Sequence, residues 1–178
     1  VLFRPKRSTL KSRKDVDLNR KYTFKHSRSS WKGIPIIASN MDGVGEIDVA
    51  KKLSSHKLMT ALTKQHDINQ IGTIYKKNIF FDSIALSCGT SKDSYNRLNS
   101  ILKKYPKFKF ICIDVANGYS ENFSNFVSEV RKKYPKKTII AGNVVTADMT
   151  QELVLSGADI VKVGIGPGSV CTTRIQTG

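Results

Sequence analysis

The stretch SKDSYNRLNSILKKYPKFKFICIDVA, residues 91–116, decides how the chain folds. Its first part predicts a helix with one apolar face, which Ser91 can cap at its start and which Pro106 ends. The apolar face consists of Tyr95, Leu98, Ile101, Leu102 and Tyr105. The second part, FKFICIDVA at 108–116, is apolar without alternation, which is typical of a parallel strand covered on both faces.

The same pattern recurs along most of the chain. SENFSNFVSEVRKKYP repeats the helix 29 residues later and ends in the same KKYP. We predict strands at 34–41, 58–63, 81–88, 108–116, 138–145 and 159–166. We predict helices at 45–56, 67–78, 91–106, 120–135 and 146–157, the last ending at a C′ glycine, Gly157. Strands that alternate with helices indicate an α/β fold with a parallel sheet.

A doubly wound sheet and a (β/α)8 TIM barrel both fit this alternation. No GxGxxG opens a helix after the first strand, which counts against a dinucleotide-binding Rossmann fold. Polar residues follow the ends of several different strands, as they do where a barrel builds its site. We therefore predict a barrel with about six of the eight βα units, and we expect the C-terminal units to be missing, since a six-strand piece has open edges.

The N-terminal residues differ in composition from the rest. Residues 1–33 are polar and basic without a sustained period, so we predict an extended or irregular basic arm, followed by the partial barrel at 34–178. The net charge of +16 invites a nucleic-acid interpretation, but no basic stripe interleaved with aromatic residues and no DNA- or RNA-binding motif occurs. A basic nucleotide- or nucleic-acid-binding fragment remains the non-enzymatic alternative.

Compartment and membrane association can also be predicted from the sequence. No apolar run is long enough to span a membrane, and no secretory signal is recognisable. The three cysteines are far apart and lack metal-ligand spacing, which favours a reducing, cytoplasmic location with free thiols. We predict that Cys112 lies in the core and that Cys88 is structural.

GIGPGSVCTTR, residues 164–174, carries the most distinctive chemistry. Its three glycines allow backbone N–H groups to converge on a phosphate, Pro167 stiffens the turn, and Ser169 adds a hydroxyl donor. Cys171 follows, with Thr173 and Arg174 nearby, and such surroundings favour the reactive thiolate. Spacing alone makes Cys171 a candidate nucleophile, while burial as a small core thiol stays open.

GIGPGSVCTTR resembles the catalytic loop shared by IMP dehydrogenases and GMP reductases. Further segments resemble this family: LFRPKRSTLKSRKDVDL at 2–18, IPIIASNMD at 34–42, DVANGYSE at 114–121, AGNVVT at 141–146 and SGADIVKVG at 156–164. The resemblance implies a (β/α)8 barrel. RPKRSTLKSR and DVANGYSE are more similar to the reductases, and only residues 64–80 separate the second and third strands, which leaves no room for the dehydrogenases' regulatory insertion.

The resemblance implies an NADPH-dependent reductive deamination of GMP to IMP and ammonia, in purine salvage. Cys171 would attack C2 of the purine and form a thioimidate, and Thr173 would take part in proton transfer with a glutamate of a downstream segment. The substrate would contact Ser169, Met41 and Asn143. IMP dehydrogenase, the NAD-dependent oxidation of IMP to XMP, is the alternative activity.

The resemblance also implies cofactor, cation and assembly. Residues matching NADPH contacts are Ser12, Arg13, Lys64, Asp114, Val115, Ala116, Ile165 and Gly166. Gly166, Gly168 and Cys171, with Arg174 close by, match a monovalent-cation site for K⁺. The family implies a homotetramer. Gly43 and Cys88 stand where relatives usually have threonine and serine.

Overall fold

The computed structural model describes residues 4–76, 81–166 and 168–177. Within them, one parallel sheet has six strands: β3 Ile37–Ala38, β4 Met59–Leu62, β5 Ile84–Cys88, β6 Phe110–Asp114, β7 Thr138–Val144 and β8 Ile160–Val163. The strands lie side by side in chain order from β3 to β8. A doubly wound sheet reverses its strand order at a switch point, whereas a barrel adds strands in sequence. The prediction of a partial (β/α)8 barrel is therefore confirmed.

Five helices connect these strands: α1 Ile47–Ser55, α2 Ile68–Lys76, α3 Lys92–Lys104, α4 Glu121–Lys133 and α5 Ala147–Leu155. The predicted apolar face of α3 is buried, with Leu98 and Ile101 almost inaccessible to solvent. The Ser91 side chain accepts a hydrogen bond from the Ser94 backbone N–H, which confirms the predicted cap. Gly157, with φ of +110°, follows the last residues of α5 as predicted.

Alternate residues of the central strands β5, β6 and β7 enter two different hydrophobic clusters. The larger cluster lies between the sheet and the helices and contains Ile111 and Ile113 of β6. The smaller cluster lies on the other face of the sheet and contains Phe110 and Cys112 of the same strand. Both faces of β6 are thus covered, which explains why its sequence is apolar without alternation.

A β-hairpin precedes the sheet, where an extended or irregular arm was expected. β1 Arg20–Thr23 pairs antiparallel with β2 Ser30–Gly33. Phe24 and Trp31 from this hairpin enter the smaller cluster, and the Phe24 ring meets the Phe110 ring edge-on with centroids 5.8 Å apart. The lead-in prediction is therefore wrong for residues 20–33, because two aromatic side chains fold that segment back onto the sheet. The division of the chain at residue 33 stays a prediction.

The remaining differences concern element ends. Phe81–Ser83 form a 3-10 turn where the third strand was predicted to begin, and the other strands are shorter than predicted. Residues 77 and 78, the predicted end of the second helix, lie outside the described residues. A short helix, α6 Thr173–Thr177, follows the glycine-rich loop and was not predicted. No helix in the described part of the chain has the length and apolar character needed to cross a membrane.

Candidate active site

A cavity of about 1220 Å³ opens at the carboxyl ends of the strands, where barrels carry their chemistry. Most of the residues singled out from the sequence line it. They are Met41, Lys64, Asp114, Val115, Ala116, Asn143, Ile165, Gly166, Gly168, Cys171 and Thr173. They come from the ends of several strands, so the parallel sheet is what brings these distant segments together.

Cys171 and Thr173 form the centre of the glycine-rich loop. The Cys171 Sγ donates a hydrogen bond to Thr173 Oγ1 at 3.3 Å, and Cys171 is partly accessible to solvent. The Cys171 backbone N–H donates to the Gly168 carbonyl at 3.2 Å, which folds the loop into a turn below the thiol. The arrangement presents a thiol at the cavity wall with a hydroxyl beside it that accepts its hydrogen bond.

The backbone before Cys171 adopts conformations that favour glycine. Gly164 has φ of +131° and Gly166 has φ of +52°, a region in which a Cβ is strained. The two glycines turn the chain out of β8 and along the cavity, which both of them line. The predicted stiffening by Pro167 falls outside the described residues.

A charged network that sequence reasoning missed lies inside the barrel. Lys162 of β8 forms an ion pair with Asp114 at the end of β6 and donates to Asn40 Oδ1 at 3.0 Å. All three residues line the cavity. The signal was available in DIVKV, because a lysine within an apolar parallel strand needs a partner on the inner face. The network holds the Asp114 carboxylate at the cavity wall.

Asn143 has one satisfied and one unsatisfied polar atom. Its Nδ2 donates to the Gly164 carbonyl at 2.8 Å, which ties the end of β7 to the glycine-rich loop. Its Oδ1 is buried and has no hydrogen-bond partner among the described residues. A buried acceptor of this kind is costly unless a ligand or water completes it, so the cavity wall offers a ready acceptor to a bound molecule.

The loop after β4 brings Lys64 to the cavity, and hydrogen bonds from Arg97 of α3 hold this loop in place. The Arg97 guanidinium donates to the His66 carbonyl through Nε at 3.0 Å and Nη2 at 2.5 Å, and through Nη1 to the Ser87 carbonyl at 3.4 Å. His66 Nε2 lies 3.3 Å from both the Gly45 carbonyl and Glu46 Oε2. α3 thus determines where the Lys64 loop runs, a contact that the sequence pattern did not indicate.

Three predicted site residues stand apart from the cavity lining, and the side chain of a fourth is not described. Ser12 and Arg13 lie exposed in a short 3-10 turn of the N-terminal segment. Ser169 is exposed on the loop between Gly168 and Val170, which both line the cavity. Arg174 belongs to α6, and its side chain lies outside what the structure describes. Their predicted roles, like those of the lining residues, stay predictions.

The other two cysteines differ sharply from Cys171. Cys88 and Cys112 are fully buried. Burial, followed by the neighbouring Cys112, raises the pKa of Cys88 to about 12. Burial raises the pKa of Cys112 to about 11, although Lys162 opposes the rise. Both thiols are therefore neutral near pH 7, as expected for core residues. No group of three or more His, Cys, Asp or Glu that could hold a metal occurs among the described residues.

Fold and cavity together define a barrel-type α/β protein whose site lies at the carboxyl ends of its strands. The chain belongs to the IMP dehydrogenase / GMP reductase domain family, whose model matches residues 1–178.

Two relatives illustrate the similarity. The chain is 54% identical over 180 aligned residues to a GMP reductase from Yersinia enterocolitica and 51% identical to one from Aeromonas hydrophila. In both cases the alignment covers 100% of the chain and 52% of the relative, so the chain spans about half the length of the curated relatives it matches.

A solved structure agrees with the fold. The inosine 5′-monophosphate dehydrogenase from Legionella pneumophila superposes with a TM-score of 0.77 at 28% identity, over 99% of this chain and 53% of that one.

Proposed function

We propose that this chain carries the nucleophile and part of the cofactor site of a GMP reductase, which converts GMP to IMP and ammonia with NADPH. The observation that supports this most directly is the hydrogen-bonded pair Cys171–Thr173 at the wall of a cavity also lined by Asp114 and Lys64. The relatives named GMP reductase, at 51% and 54% identity over the whole chain, support the choice of reaction.

Cys171 is the proposed nucleophile. Its sulfur bonds to C2 of the purine, the bond from C2 to the amino nitrogen breaks, and that nitrogen leaves as ammonia after gaining a proton. After C2 has accepted a hydride, the carbon–sulfur bond breaks, the thiolate returns and IMP leaves. The covalent step divides one difficult substitution into two easier steps. Thr173 accepts a hydrogen bond from the Cys171 thiol, which supports its proposed part in proton transfer with a glutamate of the downstream segment.

NADPH would supply the hydride. The cavity wall fits a nicotinamide cofactor, because it combines the acceptor Asp114, paired with Lys162, with the exposed donor Lys64. A carboxamide needs both acceptors and donors of this kind. We assign Lys64, Asp114, Val115, Ala116, Ile165 and Gly166 to this cofactor. Ser12 and Arg13 lie outside the cavity lining. We propose that they contact the cofactor bound in the cavity of a neighbouring subunit of a homotetramer.

The remaining proposals concern substrate, cation and location. Met41, Asn143 and Ser169 are proposed to contact GMP, with the phosphate at the glycine-rich loop. The carbonyls of Gly166, Gly168 and Cys171, near Arg174, are proposed to hold K⁺, a hard cation that prefers oxygen. A cytoplasmic location is proposed from the free thiols.

IMP dehydrogenase is the second candidate, since the Legionella enzyme shares the fold with a TM-score of 0.77. Its 28% identity, against 54% for the Yersinia reductase, makes it the weaker proposal. One assay of the reduced-nicotinamide absorbance separates the two. A reductase consumes NADPH when GMP is added and leaves NAD⁺ unchanged with IMP. Reduction of NAD⁺ by IMP, without NADPH consumption, would overturn the proposal.

A further inference from the structure

We propose that a second pocket, at the amino ends of the strands, binds a small anion with two or more adjacent phosphates. The pocket has a volume of about 390 Å³. It is lined by Phe81, Asp82, Pro106, Lys107, Lys109, Lys136 and Lys137. These residues precede β5, β6 and β7, so the pocket lies at the opposite end of the sheet from the candidate active site. It is called the lysine pocket below.

A repeated motif builds the lysine pocket. KKYPK occurs at 103–107 and again at 132–136, each time between a helix and the following strand. Because β6 and β7 are neighbours in the sheet, the two turns lie side by side. Lys107 and Lys136 therefore occupy equivalent places in adjacent turns, and both are exposed at one concave surface.

Ordinary helix-end chemistry does not account for these lysines. Basic residues in the last turn of a helix interact favourably with its carbonyls and dipole. In α3 and α4 the residues in that position are Lys103, Lys104, Arg131, Lys132 and Lys133. The pocket lysines come later, after the proline that follows each helix. The last turns of α3 and α4 already contain basic residues, so the helix dipole does not explain the additional lysines of the pocket.

The charge in the lysine pocket is only partly balanced. Four lysines face one aspartate, which leaves a net charge of +3. Asp82 pairs with Lys109 at 2.8 Å, and both side chains are about half exposed. Lys107 stands over the Phe81 ring, with its Nζ 5.8 Å from the ring centre. An anion that enters the pocket would therefore meet several ammonium groups.

Lys137 adds a half-buried positive charge close to Lys109. Its Nζ donates to the carbonyls of Pro106 and Phe108, each at 2.5 Å. Burial, followed by the nearby charge of Lys109, lowers the pKa of Lys137 below its usual value. A bound anion would offset the repulsion between the two lysines.

The size and charge of the pocket favour a compact, multiply charged ligand. Lysine ammonium groups are strongly hydrated point charges that bind phosphate without the bidentate geometry of arginine. A net charge of +3 within about 390 Å³ is matched by adjacent phosphates and not by a single carboxylate. Two sources share this chemistry: a free oligophosphate and the phosphate tail of a nucleoside triphosphate.

Calorimetric titration of the purified protein with tripolyphosphate tests the proposal. The variant Lys107→Gln/Lys136→Gln removes two exposed charges and should lower the affinity about tenfold or more. Inorganic phosphate should bind at least about tenfold more weakly than tripolyphosphate, because it engages fewer lysines. A matched titration with ATP distinguishes the sources: tighter binding of ATP indicates a nucleotide tail, and equal binding indicates the phosphates alone.

The control variant Lys52→Gln/Lys92→Gln removes the same charge from exposed positions on α1 and α3. It should change the affinity for tripolyphosphate less than about twofold, since both positions lie outside the pocket. Equal loss in both variants would show that only the net charge matters and would overturn the proposal. Absence of tripolyphosphate binding, or unchanged affinity in Lys107→Gln/Lys136→Gln, would do the same. None of these titrations depends on the reaction proposed above.

Discussion

The two ends of the sheet use polar side chains in opposite ways. At the amino end, the Asp159 side chain is fully buried and its oxygens accept hydrogen bonds from Arg131 and from the backbone N–H groups of His26, Ser27 and Ile139. At the carboxyl end, Asn143 keeps a buried oxygen without a partner in the described residues, and Cys171 lies at an open cavity.

This difference separates stability from chemistry. A buried carboxylate is tolerated only when it is paired and hydrogen-bonded, and Asp159 meets that condition while joining the hairpin to β7 and α4. At the cavity, Asn143 Oδ1 lacks such a partner among the described residues, which leaves it available to a ligand. Substitution of Asp159 at the amino end should therefore lower the free energy of unfolding, and substitution of Cys171 at the carboxyl end should lower turnover.

The largest effect is expected for Cys171→Ala. Loss of the proposed nucleophile should reduce the proposed turnover of GMP by at least about 10³-fold, because the covalent route is removed. The denaturation midpoint should stay within about 2 °C of the parent, since the thiol is partly exposed and lies outside both hydrophobic clusters. Steady-state kinetics and thermal melting check both parts. Retained turnover, or a large loss of stability, in Cys171→Ala would contradict the assignment of chemistry to the carboxyl end of the sheet.

Asp159→Ala should show the reverse pattern. It leaves Arg131 Nη2 and three backbone N–H groups without their acceptor, which should cost about 3–5 kcal/mol of unfolding free energy. The control Asp82→Ala breaks an exposed ion pair with Lys109 and should cost less than about 1 kcal/mol. Urea denaturation measures both. Equal losses of unfolding free energy in the two variants would show that the buried hydrogen bonds of Asp159 stabilise the fold no more than an exposed ion pair does.

Thiol labelling gives a smaller but direct contrast. With pKa values raised to about 12 and about 11, Cys88 and Cys112 are neutral at pH 8, and both are buried. Iodoacetamide should therefore modify Cys171 at least about tenfold faster than either. Peptide mapping after timed labelling reads out the site, and labelling in denaturant, where all three thiols react, is the control. Comparable labelling of Cys88 in the folded protein would contradict the burial.

The smallest effect is expected for a substitution of Arg97, which hydrogen-bonds to the His66 carbonyl in the loop that carries Lys64. Arg97→Ala should raise KM for NADPH about three- to tenfold and change kcat less than about twofold, because Arg97 holds the loop of Lys64, a proposed cofactor residue, and lies outside the cavity lining. The neighbouring exposed Asn96→Ala is the control and should change neither constant. An unaltered KM in Arg97→Ala would show that the loop holds its position without this contact.

The sequence predicted the structure best where the periodicity of apolar residues alone determined the element. Helix faces with Leu98 or Val127, and strands such as FICI, follow from periodicity, and both are buried as expected. The hairpin was missed because β1 has no buried residue and its packing depends on Phe24 and Trp31, two isolated aromatics in a polar segment. Tertiary contact outweighed local pattern there.

The sequence was enough to predict which residues lie at the carboxyl ends of the strands, but not which of them form ion pairs and hydrogen bonds with one another. Asp114 ends a strand and Cys171 and Lys64 follow strands, so parallel pairing was enough to predict that they meet. The ion pair of Lys162 with Asp114 and the clamp of Arg97 on His66 join residues 48 and 31 positions apart. Which polar groups pair across such distances depends on strand register and helix rotation, which composition and spacing do not determine.

The central claim is that Cys171 bonds to the purine, and a mass measurement tests it most directly. The protein is mixed with GMP, quenched in acid and digested, and the peptide that contains Cys171 is weighed. The account predicts a mass gain equal to GMP minus ammonia on that peptide, and no gain in Cys171→Ala. A gain on a peptide with another cysteine, or an undiminished gain in Cys171→Ala, would contradict it.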